Sequence, residues 1–133
     1  MRLAIVGGRD FTNFSLLESI LWDLLHIRRG TIPKDTIISG GARGADSLAK
    51  KYVKEEELEY VEYLPEWDKY GKSAGFIRNQ LIVDNCDMVL AFWDGQSRGT
   101  ADTIEKAKKT KKPTFIIYYD VPKPEIKKPM NGL

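Results

Sequence analysis

Residues 36–53 read TIISGGARGADSLAKKYV, and this stretch contains a strand signal, a glycine-rich loop and a helix signal in that order. Its first three residues, Thr36 to Ile38, are β-branched, which is typical of a short buried strand. After the loop, apolar residues recur at helical spacing, at Leu48, Ala49, Tyr52 and Val53. The stretch therefore predicts the strand, loop and helix unit from which parallel α/β sheets are built.

The same unit recurs along the rest of the chain. Short apolar runs at residues 3–6, 60–64, 88–93 and 114–119 predict four more strands, most of them fully buried. Segments of helical period between them predict three more helices, and Ser15 with Glu18 forms a capping box for the first. The order βαβαβαβαβ predicts one Rossmann-like, doubly wound α/β domain, with a five-stranded, mainly parallel sheet and helices on both faces. We assign this domain to residues 1–120 and interpret residues 121–133 as a tail rich in proline and lysine.

The composition excludes several classes of function. The 133 residues allow one domain, and no apolar run approaches the roughly 18 residues that a membrane span needs. One cysteine, Cys86, and one histidine, His26, form neither an internal disulfide nor a Cys/His zinc site, so the sequence predicts no metal site and indicates no cofactor. The first residues lack the features of a secretory signal, so we expect a cytoplasmic location. A net charge of +2 gives no general case for nucleic-acid binding.

Nine of the eleven glycines lie in four loops, each of which follows a predicted strand and leads into a helix. These loops read GGRDF (residues 7–11), SGGARGAD (39–46), PEWDKYGKSAG (65–75) and DGQSRGT (94–100). Because ligands of open parallel sheets bind beyond the carboxyl ends of the strands, the loops share the ligand-binding edge. Glycine lets backbone N–H groups approach a ligand, and helix N-termini attract anions. The loops therefore predict a site for phosphate groups.

Five cationic side chains accompany these loops: Arg9, Arg43, Lys72, Arg78 and Arg98. Both residue types bind phosphate, which supports the same prediction. The loops contain neither GxxxxGK[ST] nor GxGxxG followed by an acidic residue, which argues against an ATPase P-loop and an NAD fingerprint. The predicted ligand-binding residues are Gly7, Gly8, Arg9, Asp10, Ser39, Gly40, Gly41, Ala42, Arg43, Gly44, Asp46, Lys72, Arg78, Asn79, Asp94, Ser97, Arg98, Gly99 and Thr100.

Three aspartates of these loops have more than one interpretation. Asp46 either contacts a ribose hydroxyl or a base, or caps the helix that it begins. Asp10 and Asp94 follow strands beside cations. Each of them either orients Arg9 or Arg98, accepts a hydrogen bond from a ligand hydroxyl, or forms an ion pair.

Aromatic residues near the loops also have two interpretations. Trp67 and Tyr70 either stack on a base or pack over the edge of the sheet. Phe11 and Phe14 flank the first loop, where they either cover a base or form a hydrophobic staple for the first helix.

The motifs GGRDF, SGGARGAD, GKSAGFIRNQ and DGQSRGT, in this order, resemble those of the SLOG superfamily. They are most similar to its small stand-alone members of the YpsA-related type in bacteria and phages, and the resemblance covers roughly residues 1–120. SGGARGAD also resembles the SGxARGxD loop of the DNA-processing protein A family, which belongs to the same superfamily. The resemblance implies a Rossmann-like fold that binds a nucleotide or a nucleotide-derived ligand at the glycine-rich edge.

One branch of the superfamily, the Lonely Guy phosphoribohydrolases, cleaves the base from nucleoside monophosphates with an arginine in an R[KN]xxM-like segment and a glutamate in PGGxGTxxE. Residues 78–82, RNQLI, resemble the first motif, and Gly99-Thr100 matches the GT of the second. The residue aligned with the glutamate is Thr103, which neither stabilises an oxocarbenium-like charge nor activates water well. An enzyme of this type would use Arg78 and a neighbouring carboxylate, Asp102 or Glu105, as catalytic residues.

Three functions are compatible with these observations. The first is a binding module that holds a nucleotide or nucleotide-derived small molecule, as a sensor or a sequestering protein. The second is an N-glycosidase acting on nucleoside monophosphates with Arg78 and Asp102. The third is binding of single-stranded nucleic acid, by analogy with the DNA-processing family and because the C-terminal segment is rich in lysine. No membrane partner is predicted, and the frequent assembly of relatives implies a homo-oligomer.

Overall fold

The computed structural model of the protein describes residues 1–26 and 35–120, and its strands form one five-stranded sheet. The strands are β1 (Arg2–Gly7), β2 (Thr36–Ser39), β3 (Glu59–Glu62), β4 (Met88–Trp93) and β5 (Thr114–Tyr118). They lie in the order β3-β2-β1-β4-β5, and every neighbouring pair is parallel. This arrangement confirms the predicted Rossmann-like, doubly wound α/β fold. The predicted tail, residues 121–133, lies outside the described residues.

Helices connect successive strands of the sheet. They are α1 (Phe14–His26), α2 (Ala45–Glu56), α3 (Trp67–Tyr70), α4 (Ala74–Asp84) and α5 (Arg98–Lys109). A 3₁₀ turn, Gly71–Ser73, joins α3 to α4. The sequence pattern does not predict α3 or this turn, because four residues are too few to show a helical period. In the described part of the chain, no helix is long and apolar enough to cross a membrane.

Successive residues of the central strands face opposite sides of the sheet, and each side carries its own core. On one face, Leu3 of β1 belongs to a buried cluster with Leu17 of α1 and Ala49 of α2. On the other face, Ala4 of β1 belongs to a second buried cluster. The helical members of that second cluster are Ile82 and Val83 of α4, and Ile104 and Ala107 of α5. Helices therefore cover both faces, as predicted, and the loops before α2 and α5 reach the carboxyl edge from opposite sides.

The two edge strands are shorter or less buried than predicted. β3 ends at Glu62 rather than at Leu64, whose side chain is exposed. In β5, Phe115 and Tyr118 are 52% and 65% exposed. An edge strand has a neighbour on one side only, so part of its apolar surface stays open to solvent.

The predicted capping box of α1 is wrong. The side-chain oxygen of Asn13 accepts a hydrogen bond from the N–H of Leu16 at 3.0 Å, and α1 begins at Phe14. Ser15 is therefore already inside the helix. Asparagine caps helices as well as serine does, and its place directly before the first helical residue decides between them.

Candidate functional site

A cavity lies at the carboxyl edge of the sheet, where the strand order reverses. β1 has β2 on one side and β4 on the other, so the chain leaves β1 and β4 towards opposite faces. The space between them is a cavity of about 710 Å³. Its lining residues come from the end of β1, the loops after β1, β2 and β4, the first turn of α2, α4 and the first turns of α5: Val6, Gly7, Gly8, Arg9, Asp10, Gly40, Ala42, Arg43, Asp46, Arg78, Asn79, Ile82, Asp94, Ser97, Gly99, Thr100 and Thr103.

Most of the predicted ligand-binding residues line this cavity, so the structure brings them together, while their binding of a ligand stays a prediction. Five of the predicted residues are not part of the lining: Ser39, Gly41, Gly44, Lys72 and Arg98. Ser39 is buried, and its hydroxyl forms a hydrogen bond of 2.5 Å with the Tyr60 hydroxyl. Lys72 and Arg98 are exposed, on the 3₁₀ turn and at the start of α5. The sequence locates these residues near the edge but does not tell which way their side chains extend.

The loop after β2 packs directly on the backbone of the loop after β1. Gly44 has φ +71° and ψ −126°, and a Cβ at this position would collide with the carbonyl oxygen of Gly8 and the backbone of Arg9. The N–H of Ala45 donates a hydrogen bond to the same Gly8 carbonyl at 3.2 Å. Backbone conformation and close approach both require glycine at position 44. The two loops therefore form one continuous wall of the cavity.

Asp46 holds the loop after β2 in place. Its side chain is buried, and Oδ2 accepts a hydrogen bond from the N–H of Ala42 at 3.0 Å. The cap position of α2 is occupied by Gly44, so the interpretation of Asp46 as a helix cap is wrong. Burial raises the pKa of Asp46 above its ordinary value, although this hydrogen bond and the positive charge of Arg78 oppose the rise.

Arg78 reaches the cavity from α4, on the opposite face of the sheet from α2. Its Nη1 donates hydrogen bonds to the carbonyl oxygens of Gly40, at 2.8 Å, and Tyr63, at 3.4 Å. Its Nε donates to the side-chain oxygen of Asn79 at 3.0 Å. Nη2 forms no hydrogen bond with any residue in 1–26 and 35–120. Partial burial lowers the pKa of Arg78, the charge of Asp46 opposes this effect, and the charge of Arg9 adds to it, but an arginine remains charged at neutral pH.

Three arginines of the lining form no close ion pair, although the charge of Asp46 acts on Arg78. Arg9, Arg43 and Arg78 form no ion pair within 4 Å with any acidic residue that the structure describes. Lys106, by contrast, contacts Asp102 at 2.6 Å. Guanidinium groups that form no ion pair at a cavity can donate charge-assisted hydrogen bonds to a bound anion.

The N-terminus of α5 forms a further part of the wall. Ser97, Gly99 and Thr100 line the cavity, and the side chain of Ser97 makes no capping hydrogen bond. The first helical hydrogen bond is donated by the N–H of Ala101 to the Ser97 carbonyl, so the preceding N–H groups have no partner within the helix. Such groups, together with the helix dipole, favour a bound anion.

Two aspartates besides Asp46, Asp10 and Asp94, add negative charge to the cavity lining. Oδ1 of Asp94 accepts hydrogen bonds from the N–H groups of Gln96 and Ser97, both at 2.8 Å, and these contacts lower the pKa of Asp94. Oδ1 of Asp10 accepts a hydrogen bond from the Tyr119 hydroxyl at 2.7 Å. Within the described ranges, neither carboxylate forms the predicted ion pair with an arginine. The cavity therefore has both signs of charge, whereas the predicted edge is mainly cationic.

The candidate catalytic residues of α5 are engaged by the protein itself. Asp102 accepts hydrogen bonds from Nζ of Lys106, at 2.6 and 2.7 Å, and from the side-chain amide of Asn79 at 3.0 Å, and it is not part of the cavity lining. Thr103 does line the cavity, but its hydroxyl donates to the Gly99 carbonyl at 3.2 Å. At the α5 position where the Lonely Guy motif has its glutamate, the wall therefore presents no carboxylate.

The aromatic residues near the loops lie outside the cavity lining. Phe11 is buried and stacks on Phe92 with 4.6 Å between ring centroids, so it belongs to the core and does not cover a ligand. Trp67 and Tyr70 are exposed on α3. Their stacking on a base stays a prediction.

Four residues of the site are absent from the predicted set. Val6, Ile82 and Thr103 line the cavity, and Tyr119 contacts Asp10. Ile82 lies four residues after Arg78, so the helical period of α4 already places both on one face. Tyr119 follows β5 directly, at the same carboxyl edge as the glycine loops. Both signals were present in the sequence.

Metal-binding clusters and reactive cysteines are two further kinds of reactive centre. No group of three or more His, Cys, Asp or Glu that could hold a metal ion occurs in residues 1–26 and 35–120. Cys86 is buried, and burial raises the pKa of its thiol, which keeps it protonated at neutral pH.

The sequence profile of the YspA, cpYpsA-related SLOG family matches residues 1–70, which is more than half of the chain. The chain belongs to this family. The Gene 61 protein of Mycobacterium phage D29 is 32% identical over 114 residues, which cover 81% of this SLOG protein and 89% of the phage protein.

Solved structures of three other proteins share the fold. The DNA processing protein A of Helicobacter pylori, described with a single-stranded DNA binding mode, matches with a TM-score of 0.65 at 21% identity over 87% of this chain. The DNA processing protein A of Streptococcus pneumoniae gives a TM-score of 0.70 at 19% identity over 90% of this chain. The structural-genomics target TM1055 gives 0.61 at 21% identity over 85% of this chain and 71% of its own. The chain spans 64% of the Helicobacter protein and 51% of the Streptococcus protein, so the likeness extends to the Rossmann-like fold and no further.

Proposed function

We propose that the protein binds a nucleotide or a nucleotide-derived phosphorylated ligand in the cavity at the carboxyl edge of the sheet, and that it acts there as a sensor or a sequestering protein. The observation that carries this proposal is the group of three arginines, Arg9, Arg43 and Arg78, which line one cavity and form no ion pair within 4 Å with any acidic residue that the structure describes. Phosphate is the anion that such a group suits best, because each guanidinium donates charge-assisted hydrogen bonds to its oxygens.

Arg78 is the central phosphate ligand in this proposal. Its contacts with Gly40, Tyr63 and Asn79 already hold the guanidinium at the cavity, so little side-chain freedom is lost when a ligand binds. Asn79 also donates to the carbonyl of Gly99 at 3.4 Å, which ties Arg78 to the first turn of α5. The unpaired Nη2 of Arg78 and the free N–H groups of that turn would then bind oxygens of one phosphate group.

The size of the cavity supports a ligand larger than inorganic phosphate. Its volume of about 710 Å³ lies within the range of roughly 300–1,000 Å³ that is usual for small-molecule sites. Polar groups surround the space on several sides, from the loops after β1, β2 and β4 and from α4. A nucleotide offers a charged end and a neutral end to such a lining.

Binding without cleavage is the form of this function that the contacts support. The N-glycosidase alternative needs a carboxylate beside the sugar, and Asp102 is occupied by Lys106 and Asn79. Binding of single-stranded DNA rests on fold likeness to the DNA-processing proteins, and no contact in the described residues favours it. The homo-oligomer and the cytoplasmic location stay predictions.

The proposal is tested by calorimetric titration of the full chain with a panel of phosphorylated ligands: AMP, GMP, CMP, UMP, cyclic AMP, NAD and ADP-ribose. We expect at least one member to bind with one site per chain, because the cavity lies within a single chain. Oligo-dT is titrated in the same buffer as the nucleic-acid arm. Lys54→Ala provides a matched control, since Lys54 is an exposed cation in the last turn of α2 and its loss is expected to leave the affinity unchanged within about twofold.

Two results would contradict the proposal. If no small ligand gives a binding heat at millimolar concentration, the proposed binding function is contradicted. If oligo-dT binds with a steep salt dependence and no mononucleotide binds, the result would favour single-stranded DNA binding as the function.

A further inference from the structure

We propose that the Asp10 and Asp94 region of the cavity binds the hydroxyl groups of a ribose, so that the ligand is a ribonucleotide and not its deoxy counterpart. This inference rests on the proposed function and specifies the ligand of the same site. It concerns two of the three carboxylates that line the cavity, because the third, Asp46, is held by the N–H of Ala42 and interacts with the charge of Arg78.

The two carboxylates lie in the same corner of the cavity. Asp10 accepts the hydrogen bond of the Tyr119 hydroxyl, and the charges of both Asp10 and Asp94 contribute to raising the pKa of that tyrosine, after the larger effect of its burial. Tyr119 follows β5, whereas Asp10 and Asp94 follow β1 and β4, the two strands at which the order reverses. Two loops therefore bring carboxylates together beside one tyrosine.

Each of these carboxylates has one oxygen engaged by the protein and one open. Oδ1 of Asp94 accepts the N–H groups of Gln96 and Ser97, and Oδ1 of Asp10 accepts the Tyr119 hydroxyl. The two Oδ2 atoms form no hydrogen bond with residues 1–26 or 35–120. The engaged oxygens fix the orientation of both side chains, while the Oδ2 atoms remain available as acceptors.

The chemistry of these oxygens selects their partner. An ionised carboxylate is negatively charged, so it repels a phosphate. It only accepts hydrogen bonds, so its partner must be a group with hydrogen-bond donors. The adjacent hydroxyls of a ribose offer two such donors, and carboxylates bind ribose hydroxyls in this way in other α/β nucleotide sites. Arg78 and the N-terminus of α5 would hold the phosphate, and the aspartates would hold the sugar.

The same division explains why the cavity carries both signs of charge. Arg9 and Arg78 are close enough for the charge of one to lower the pKa of the other, while Asp10 and Asp94 act together on Tyr119. The charge of Asp46 also acts on Arg78, so the separation of the two signs of charge is partial. A ligand with an anionic phosphate and a neutral sugar matches this distribution, whereas inorganic phosphate would use only the arginines.

Matched pairs of ligands test the inference. AMP, GMP, CMP, UMP and ADP-ribose are each titrated against the counterpart that lacks the 2′-hydroxyl, in EDTA so that no divalent cation bridges ligand and carboxylate. We expect the ribose form of the binding nucleotide to bind about tenfold more tightly or better, which is the usual effect of one hydrogen bond to a charged acceptor.

Isosteric variants assign the effect to the two carboxylates. In Asp94→Asn the amide oxygen still accepts the Gln96 and Ser97 N–H groups, and in Asp10→Asn it still accepts the Tyr119 hydroxyl. The substitution exchanges the open Oδ2 acceptor for an amide NH₂ donor. The ratio of ribose to deoxyribose affinity is therefore expected to fall towards one. Asp68→Asn, at an exposed position of α3, is the matched control and is expected to keep the ratio. Urea unfolding confirms that each variant is folded.

The outcomes separate this inference from the function on which it rests. Equal affinity of a binding nucleotide and its deoxy form, within twofold, would overturn the ribose assignment and leave the phosphate site intact. A ribose preference that survives both Asp10→Asn and Asp94→Asn would show that other residues bind the sugar, and would also overturn the inference. If no ribose ligand binds at millimolar concentration, both the proposed function and this inference are contradicted.

Discussion

Replacement of Arg78 by alanine is expected to weaken binding of the phosphorylated ligand by about 100-fold, because the charge and the hydrogen bonds that the two N–H groups of Nη2 donate to phosphate are lost together. Arg78 is the partly buried arginine of the three, and protein contacts through Nε and Nη1 leave Nη2 for the ligand. Calorimetric titration of the variant with the tightest member of the nucleotide panel measures the effect.

Two further variants separate a binding role from a structural one. Arg78→Ala also removes the hydrogen bonds to the Gly40 and Tyr63 carbonyls, so its urea unfolding curve must be measured beside its affinity. Arg78→Lys keeps the charge but not the planar fork, and we expect an affinity between those of the wild type and the alanine variant. Lys54→Ala removes one positive charge outside the cavity. An affinity within threefold of wild type in a folded Arg78→Ala protein would show that Arg78 does not bind the phosphate.

The second large effect is expected on stability. Gly44→Ala should lower the free energy of unfolding by about 3 kcal/mol or more, because a Cβ there is strained by the backbone conformation and also collides with the backbone at Gly8 and Arg9. The collision involves main-chain atoms that cannot rotate away. Relief would require separation of the loops after β1 and β2, which the Ala45 to Gly8 hydrogen bond holds together. Urea unfolding at neutral pH measures the change.

Gly95→Ala is the control for this prediction. Gly95 also has a positive φ, of +83°, but nothing lies within 4 Å of the place of its Cβ. Its substitution by alanine is therefore expected to lower the free energy of unfolding through backbone strain alone, by about 1–2 kcal/mol. Equal destabilisation by the two substitutions would mean that the contact between the loops contributes little, contrary to the structure described above.

The fold could be predicted from the sequence because its signals are local. The β-branched run that includes Ile37 and Ile38 forms β2, an interior strand of the sheet, where burial on both faces produces a continuous apolar pattern. The same rule fails at the edges of the sheet. Leu64 and Phe115 continue apolar runs but are exposed, because an edge strand has open surface that the pattern does not reveal. The cap of α1 was missed since Asn13 and Ser15 are both good cap residues.

The site was predicted less completely, because side-chain direction is not a local property. Arg98 and Arg78 both accompany glycine loops, yet Arg98 is exposed while Arg78 turns into the cavity, where the Gly40 and Tyr63 carbonyls hold it. The role of Gly44 was assigned to a ligand, whereas the structure shows that it makes room for a neighbouring loop. The place of Tyr119 after β5 indicates the carboxyl edge, but its contact with Asp10 spans most of the chain, and no sequence spacing indicates that contact.

The central claim is that a phosphorylated nucleotide binds in the cavity between the loops after β1, β2 and β4. Two-dimensional amide NMR of the full chain, recorded while the binding nucleotide is added, tests it most directly, because glycine N–H groups report on both the walls of the cavity and the rest of the surface. We predict saturable shifts at the lining residues Gly8, Gly40, Gly99 and Thr100, and none at Gly71, which lies on the 3₁₀ turn. Shifts confined to residues outside the cavity lining, or no shift at saturating nucleotide, would contradict the claim.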